Sequence, residues 1–161
     1  MNIAYLLTGS NLLNPEMQVN TALQLIRSYC GKILLSSALY GSEPWGITDQ
    51  PPFVNQAICV ETHFSAKELL QKILAIEKEM GRERVIKMGP RIIDIDILLF
   101  NHAVIHEPGL SVPHPLLTQR RFALLPLAEI ASEYVHPEQA KKISTLLGSC
   151  KDPLNVYKIN S

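Results

Sequence analysis

The sequence predicts an α+β fold: a ferredoxin-like βαββαβ sheet with C-terminal additions. Two observations point there. Strand-length apolar runs and helix-period segments follow one another in the order β-α-β-β-α-β, and no repeat, low-complexity segment or linker divides the chain, so residues 1–161 read as a single domain. Ile3 to Leu7 is an apolar run ended by Thr8-Gly9-Ser10-Asn11, a strand entering a turn. From Pro15 to Tyr29, Val19, Ala22, Leu23, Ile26 and Tyr29 keep helical spacing, with Asn14 as cap, Pro15 at the first position and Gly31 at the exit. Lys32 to Tyr40 reads as a second strand. Gly41 to Pro52, with Trp45 among three prolines and two glycines, is a long loop of the kind that binds ligands. Phe53 to Glu61 is a third strand. Ser65 with Glu68 forms a capping box that opens a helix running to Gly81. A polar loop, Arg82 to Arg91, leads into the strand Ile92 to Phe100. Asn101 to Gly109 suggests a hairpin, Phe122 to Ala131 a helix, and Glu138 to Leu147 a last surface helix.

Composition excludes several classes. Fifteen basic and fifteen acidic residues cancel, which argues against broad nucleic-acid or membrane-surface binding. The N-terminus lacks a basic region before its short apolar run, and no stretch reaches the roughly 20 apolar residues of a membrane span. Cys30, Cys59 and Cys150 form no C-x-x-C pair and read as thiols in a reducing compartment. The expectation is a cytoplasmic monomer that meets small molecules.

Strand Ile92–Phe100 carries two acids. Alternation places Ile93, Ile95, Ile97 and Leu99 on one face and Asp94, Asp96, Leu98 and Phe100 on the other. Both faces are otherwise apolar, so the strand is expected at the centre of the sheet. Two carboxylates roughly 6–7 Å apart on one face repel each other and resist desolvation. A hard cation such as Mg²⁺ resolves both, taking one or two carboxylates and filling its shell with water and phosphate oxygens. The alternatives are a solvated strand end or pairing with arginines.

Five of the six arginines, Arg82, Arg84, Arg91, Arg120 and Arg121, fall between residues 82 and 121. Guanidinium forks match phosphate oxygens, and arginine beside acid-bound magnesium suits phosphoryl transfer. The sequence has no P-loop and no protein-kinase motif set. Gly9-Ser10 lies too far from Asp94 for a polymerase-β-like nucleotidyltransferase. Trp45, Phe53 and Phe122 sit at loops or element ends, where rings can sandwich a flat heterocycle, or else in the core. Asn55, two residues after Phe53, offers donor and acceptor from the same strand face. His114 is held between Pro113 and Pro115 and is a candidate phosphate donor. His63, His102, His106 and His136 read as surface.

Together these residues resemble the 6-hydroxymethyl-7,8-dihydropterin pyrophosphokinase family. The central match is the string from Lys87-Met88-Gly89-Pro90-Arg91 through Asp94-Ile95-Asp96 to Leu98. Gly9-Ser10-Asn11-Leu12, Pro44-Trp45-Gly46, Gln50 to Asn55, Glu77 with Gly81-Arg82 and Arg84, Val112-Pro113-His114-Pro115, and Arg120 with Phe122 follow in family order. The resemblance reaches about Ala131, and the last thirty residues carry no family motif. It implies transfer of the β,γ-pyrophosphoryl group of ATP to a hydroxymethyl pterin with release of AMP. It implies that Asp94 and Asp96 hold two Mg²⁺, that Arg82, Arg84, Arg91, Arg120 and His114 face ATP, and that Glu77 lies near the nucleotide. It further implies that Phe53 and Phe122 stack on the pterin, while Asn55 and the segment Ser42, Pro44, Trp45 read its edge. Met88 where many members carry Trp, a shorter Arg84–Met88 loop, and Pro115 where some carry Tyr depart from the pattern. Two other readings compete: a different Mg²⁺-dependent phosphotransferase, and a non-catalytic ligand-binding module.

Overall fold

A computed structural model of the chain describes residues 1–81 and 89–159. Strand β1 (Asn2–Ser10) leads into helix α1 (Pro15–Tyr29). Asn14 caps that helix from a left-handed conformation and accepts the Met17 N–H. The strand expected over Lys32–Tyr40 is divided. Its halves are β2 (Lys32–Ser36) and β3 (Tyr40–Ser42), and both lie antiparallel to β4 (Phe53–Thr62). The break falls at Ser37, whose hydroxyl accepts the Ala57 N–H and so takes the place of a ladder bond. Helix α2 (Ala66–Glu79) starts at the predicted capping box, with Ser65 and Glu68 bonded reciprocally. Strand β5 (Asp94–Phe100), a hairpin of β6 (Ile105–Glu107) and β7 (Leu110–Val112), a 3-10 turn (Leu117–Gln119) and helix α3 (Arg121–Ala131) follow. The last helix, α4, covers only Ile143–Gly148, because the Glu138 and Gln139 amides fold back onto His136 Nδ1 instead of starting a helix. His136 is therefore buried, against the surface position expected of it. A short strand near the C-terminus, β8 (Val156–Lys158), was not legible in the sequence.

Among the described residues the main sheet runs β5-β1-β4-β3-β8, with β2 also on β4, and its pairings are antiparallel. Helices α1 and α2 bury one face around Leu6, Ile26, Ile58 and Ile73. Helices α3 and α4 bury the other around Leu7, Leu98, Leu124 and Ile143. The ferredoxin-like core thus carries its additions on its second face.

Two expectations for the acid-bearing strand change. It is an edge strand, not a central one: among the described residues β5 pairs with β1 alone, and its apolar faces are both covered by helices. Beyond the edge, the His114 N–H bonds to the Leu98 carbonyl. The alternation also breaks. Tyr5 pairs with Leu99 while Leu6 pairs with Ile97, so Leu98 is the extra residue of a bulge. Leu99 consequently joins Leu98 on the α3 side, and Phe100 joins Ile97 on the α1–α2 side. Asp94 and Asp96 lie before the bulge and keep their common face.

No helix among the described residues is long and apolar enough to cross a membrane. Cys30 and Cys59 are buried free thiols, and Cys150 is a half-buried one.

Candidate active site

Asp94 and Asp96 form a wall shared by two recesses. One is a small pocket of about 80 Å³ lined by Gly9, Ser42, Trp45, Phe53, Asn55 and Phe122, with Arg91 and Arg120 beside the acids. The other is a larger groove of about 450 Å³ lined by Leu70, Leu74, Glu77, Gly109, Ser111 and His114. The bulge lies beyond both aspartates, so their carboxyls project to one level between the recesses.

The two acids differ in environment. Arg91 Nη1 donates to Asp94 Oδ2 at 3.0 Å, so one carboxylate already has its counter-ion, as the arginine-pairing alternative anticipated. Burial pushes the Asp96 carboxyl up to about 7, and the Asp94 charge adds to the rise, while Arg120 opposes it. Two neighbouring carboxylates, one of them raised by burial and by the charge of the other, fit a hard divalent cation. Among the described residues no third His, Cys, Asp or Glu completes a metal cluster, so water and phosphate oxygens would have to supply the remaining ligands.

Arg91 is positioned by Asn11, a buried residue that site reasoning from sequence missed. Asn11 Oδ1 accepts the Arg91 N–H at 2.9 Å and its own N–H donates to the Arg91 carbonyl at 3.2 Å. Its Nδ2 donates to Gln50 Oε1 and to the Pro51 carbonyl. The asparagine at the end of β1 thus ties the Gly41–Pro52 loop to the arginine. Its sequence signals were a polar amide directly following a buried strand and its place in the Gly9-Ser10-Asn11-Leu12 motif, which by itself assigns it no role.

Arg120 lies over two rings, 4.5 Å from the Trp45 centroid and 5.4 Å from that of Phe122. Its Nε is buried with no protein partner. Burial lowers its proton affinity and the aspartates raise it. An unpartnered buried guanidinium N–H beside two acids is a donor awaiting an anionic ligand.

His114 Nδ1 accepts the Leu116 N–H at 3.1 Å, which leaves Nε2 as the protonated nitrogen. Burial, aided by Arg120, lowers its pKa to about 4. It is a neutral donor, not a cation.

On the ring side, Asn55 is buried and donates through Nδ2 to Ser42 Oγ at 2.8 Å. A Cβ at Gly9 would fall 2.7 Å from Asn55 Oδ1, so the glycine keeps space for the amide. Phe53, Trp45 and Phe122 line the same pocket. Pro44 sits between the lining residues Glu43 and Trp45 without lining the pocket itself. Glu77 lines the groove, but its Oε2 accepts the Ile95 N–H at 2.8 Å, so this carboxylate supports the aspartate strand. Arg121 points elsewhere: its Nη2 donates to the Cys150 carbonyl and its Nη1 to that of Asp152. Arg82 and Arg84 lie outside the described residues.

The family model described as 7,8-dihydro-6-hydroxymethylpterin-pyrophosphokinase matches residues 5–132. The chain is 37% identical over 161 residues to the 2-amino-4-hydroxy-6-hydroxymethyldihydropteridine pyrophosphokinase of Bacillus subtilis, covering 99% of this chain and 93% of that one. It is 40% identical over 138 residues to the enzyme of the same name from Haemophilus influenzae, covering 85% and 86%. Identity to the folic acid synthesis protein of Schizosaccharomyces pombe is 41% over 136 residues, 84% of this chain but only 19% of that protein. Among solved structures, wild-type Plasmodium falciparum HPPK-DHPS with pteroate superposes with a TM-score of 0.78 at 22% identity, over 91% of this chain and 44% of that one. That likeness speaks to the fold alone.

Proposed function

The chain belongs to the 7,8-dihydro-6-hydroxymethylpterin-pyrophosphokinase family, and from that premise we propose how its residues carry out the reaction. It transfers pyrophosphate from ATP to the hydroxymethyl group of 6-hydroxymethyl-7,8-dihydropterin and releases AMP, a step of folate biosynthesis. The observation that carries the assignment of roles is the shared acid wall: a ring-lined pocket and an open groove meet at Asp94 and Asp96. Two ligands seated in the two recesses would have their reacting ends side by side, which supplies the proximity that a two-substrate transfer needs.

In this reading the flat pterin enters between Phe53 and Phe122, with Trp45 at its rim. Asn55, fixed by Ser42, reads the ring edge through its free amide hydrogen and its carbonyl oxygen. The polyphosphate lies across the acids toward the groove. Arg91, held by Asn11, and Arg120, with its open Nε, face the phosphates. Neutral His114 donates its Nε2–H there, a hydrogen bond that does not switch off with pH near neutrality. Asp94 and Asp96 are the residues that would hold Mg²⁺, two ions by the family pattern; when bound, the metal offsets phosphate charge and polarises the oxygens it touches. Arg82 and Arg84, which lie outside the described residues, are assigned to ATP binding by the family pattern alone. The Gly41–Pro52 loop, tied to Arg91 through Asn11, excludes water from the pocket.

The test is incubation with ATP, Mg²⁺ and the hydroxymethyl dihydropterin, followed by nucleotide chromatography. AMP release that depends on the pterin, and is lost in Asp96→Ala, is expected. ADP as product would identify a different phosphotransferase, and no Mg²⁺-dependent ATP binding at all would identify a ligand-binding module.

A further inference from the structure

The last part of the chain lies beyond the residues that the family model matches, 5–132, yet it touches both walls of the ring pocket. Helix α3 begins at Arg121 without a cap of its own, since Arg120 at the cap position makes no side-chain bond. The cap arrives from 31 residues downstream: Asp152 Oδ2 accepts the Arg121 N–H at 3.1 Å. Asp152 Oδ1 accepts the Leu154 N–H at 3.0 Å, and the residue is only 8% exposed. A carboxylate at this place satisfies an orphan amide and complements the helix dipole. The Arg121 side chain reciprocates, binding the Cys150 and Asp152 carbonyls. Its sequence neighbours, Arg120 and Phe122, are one wall of the pocket.

The same segment then reaches the opposite wall. Asn155 N–H donates to Glu43 Oε1 at 3.0 Å, and Glu43 N–H donates to the Asn155 carbonyl at 3.2 Å. Beyond it, β8 pairs with β3, Val156 opposite Ser42 and Tyr157 opposite Gly41. A Cβ on Gly41 would lie 2.4 Å from the Tyr157 ring, so the ring rests directly on the glycine. Ser42 in turn holds Asn55.

We propose that residues 150–158 are a clamp that sets the distance between the Arg120–Phe122 wall and the Ser42–Glu43 wall, with Asp152 as its positioning residue, and that this spacing determines pterin affinity. The inference rests on assigning the pocket to the pterin. A planar ring is held well only when its flanking groups sit within about 0.5 Å of their productive places. The two walls come from separate parts of the chain, and the C-terminal segment bonds to both. Asp152 bonds to neither pocket ring; it acts through Arg121 and, by its charge, on Arg120, while no residue lining the nucleotide groove bonds to its carboxylate.

Trp45 is the only tryptophan of the chain and lies under the Arg120 guanidinium, so its emission reports the wall position without any ligand. The experiment compares the full chain with Asp152→Ala and Asp152→Asn. It reads Trp45 emission and acrylamide quenching, then calorimetric affinity for the hydroxymethyl dihydropterin and for a non-hydrolysable ATP analogue. In Asp152→Ala, Trp45 is expected to become more quenchable and pterin binding to weaken about tenfold, with a clearly smaller loss of nucleotide affinity, transmitted through Arg120. Asp152→Asn keeps one acceptor oxygen, so it should show a smaller change of the same kind, and it serves if the alanine variant does not fold. Unaltered Trp45 emission and pterin affinity in a folded variant would overturn the clamp. So would an equal loss of pterin and nucleotide affinity, the mark of general destabilisation. If the unmodified chain binds no pterin, the functional assignment fails, while the Trp45 comparison still decides whether the clamp sets the walls.

Discussion

Glu77 Oε2 accepts the N–H of Ile95, the residue that separates Asp94 from Asp96, at 2.8 Å. Strand β5 is at the sheet edge, so an amide pointing away from β1 has no strand partner among the described residues. Helix α2 supplies one through a buried carboxylate. Removing it in Glu77→Ala leaves the Ile95 amide buried and unbonded, which should cost about 1–3 kcal/mol of stability. Glu77→Gln retains a carbonyl acceptor and should recover most of that. Urea denaturation midpoints measure both, and equal midpoints for the parent and the alanine variant would remove Glu77 from this supporting role.

Asp96 should make cation binding depend on pH. Burial, with Asp94, raises its pKa to about 7 in the fold, against about 3.9 in an unfolded chain. Between those values the native state holds a proton that the unfolded state has released. This group's contribution to stability therefore falls as pH rises through that window, and is lowest above about 7. Mg²⁺ must displace the proton, so calorimetric Mg²⁺ affinity should strengthen from about pH 6 to about pH 8. In metal-free protein, Asp96→Asn should flatten the pH dependence of the melting temperature between about pH 4 and about pH 7. A parent protein whose Mg²⁺ affinity is level across that range would contradict the assignment.

His114 should not titrate near neutrality. Its Nδ1 is occupied by the Leu116 amide, and burial with Arg120 lowers the pKa to about 4. The ring resonances in an NMR titration should stay in place between about pH 5.5 and 8. His114→Asn removes the Nε2 donor and should slow AMP release about tenfold, with its pH profile unchanged in shape. A rate transition near pH 6.5 that vanishes in this variant would show that the imidazole acts as a cation instead.

Gly9→Ala is a test of the ring side. The added methyl would sit 2.7 Å from Asn55 Oδ1 and must displace the amide from Ser42. Pterin affinity should drop by about tenfold or more, while nucleotide binding persists. Equal retention of both would mean that Asn55 does not read the pterin.

Local patterns carried much of the architecture. Asn14 and Ser65 capped the helices where their side chains can reach open amides, because capping is decided within a few residues. The D-x-D pair was visible for the same reason: two acids on an otherwise apolar strand are anomalous wherever the strand goes. Position in the sheet was a different matter. β5 looks central from its own residues, since a strand covered on both faces reads the same at an edge as in the middle. The bulge at Leu98 arises from pairing with β1, and it moved Leu99 and Phe100 to opposite faces from those alternation assigns.

Residue types and their order therefore carried the chemistry of this protein: acids for a cation, guanidinium groups for phosphate, rings for a flat heterocycle. Which arginine faces which partner was decided only when distant segments met. Arg120 and Arg121 are adjacent in the chain, yet one lies over Trp45 beside the acids and the other is tied to Cys150 and Asp152. Side-chain chemistry is a property of each residue, whereas direction and burial depend on the surfaces that packing brings together.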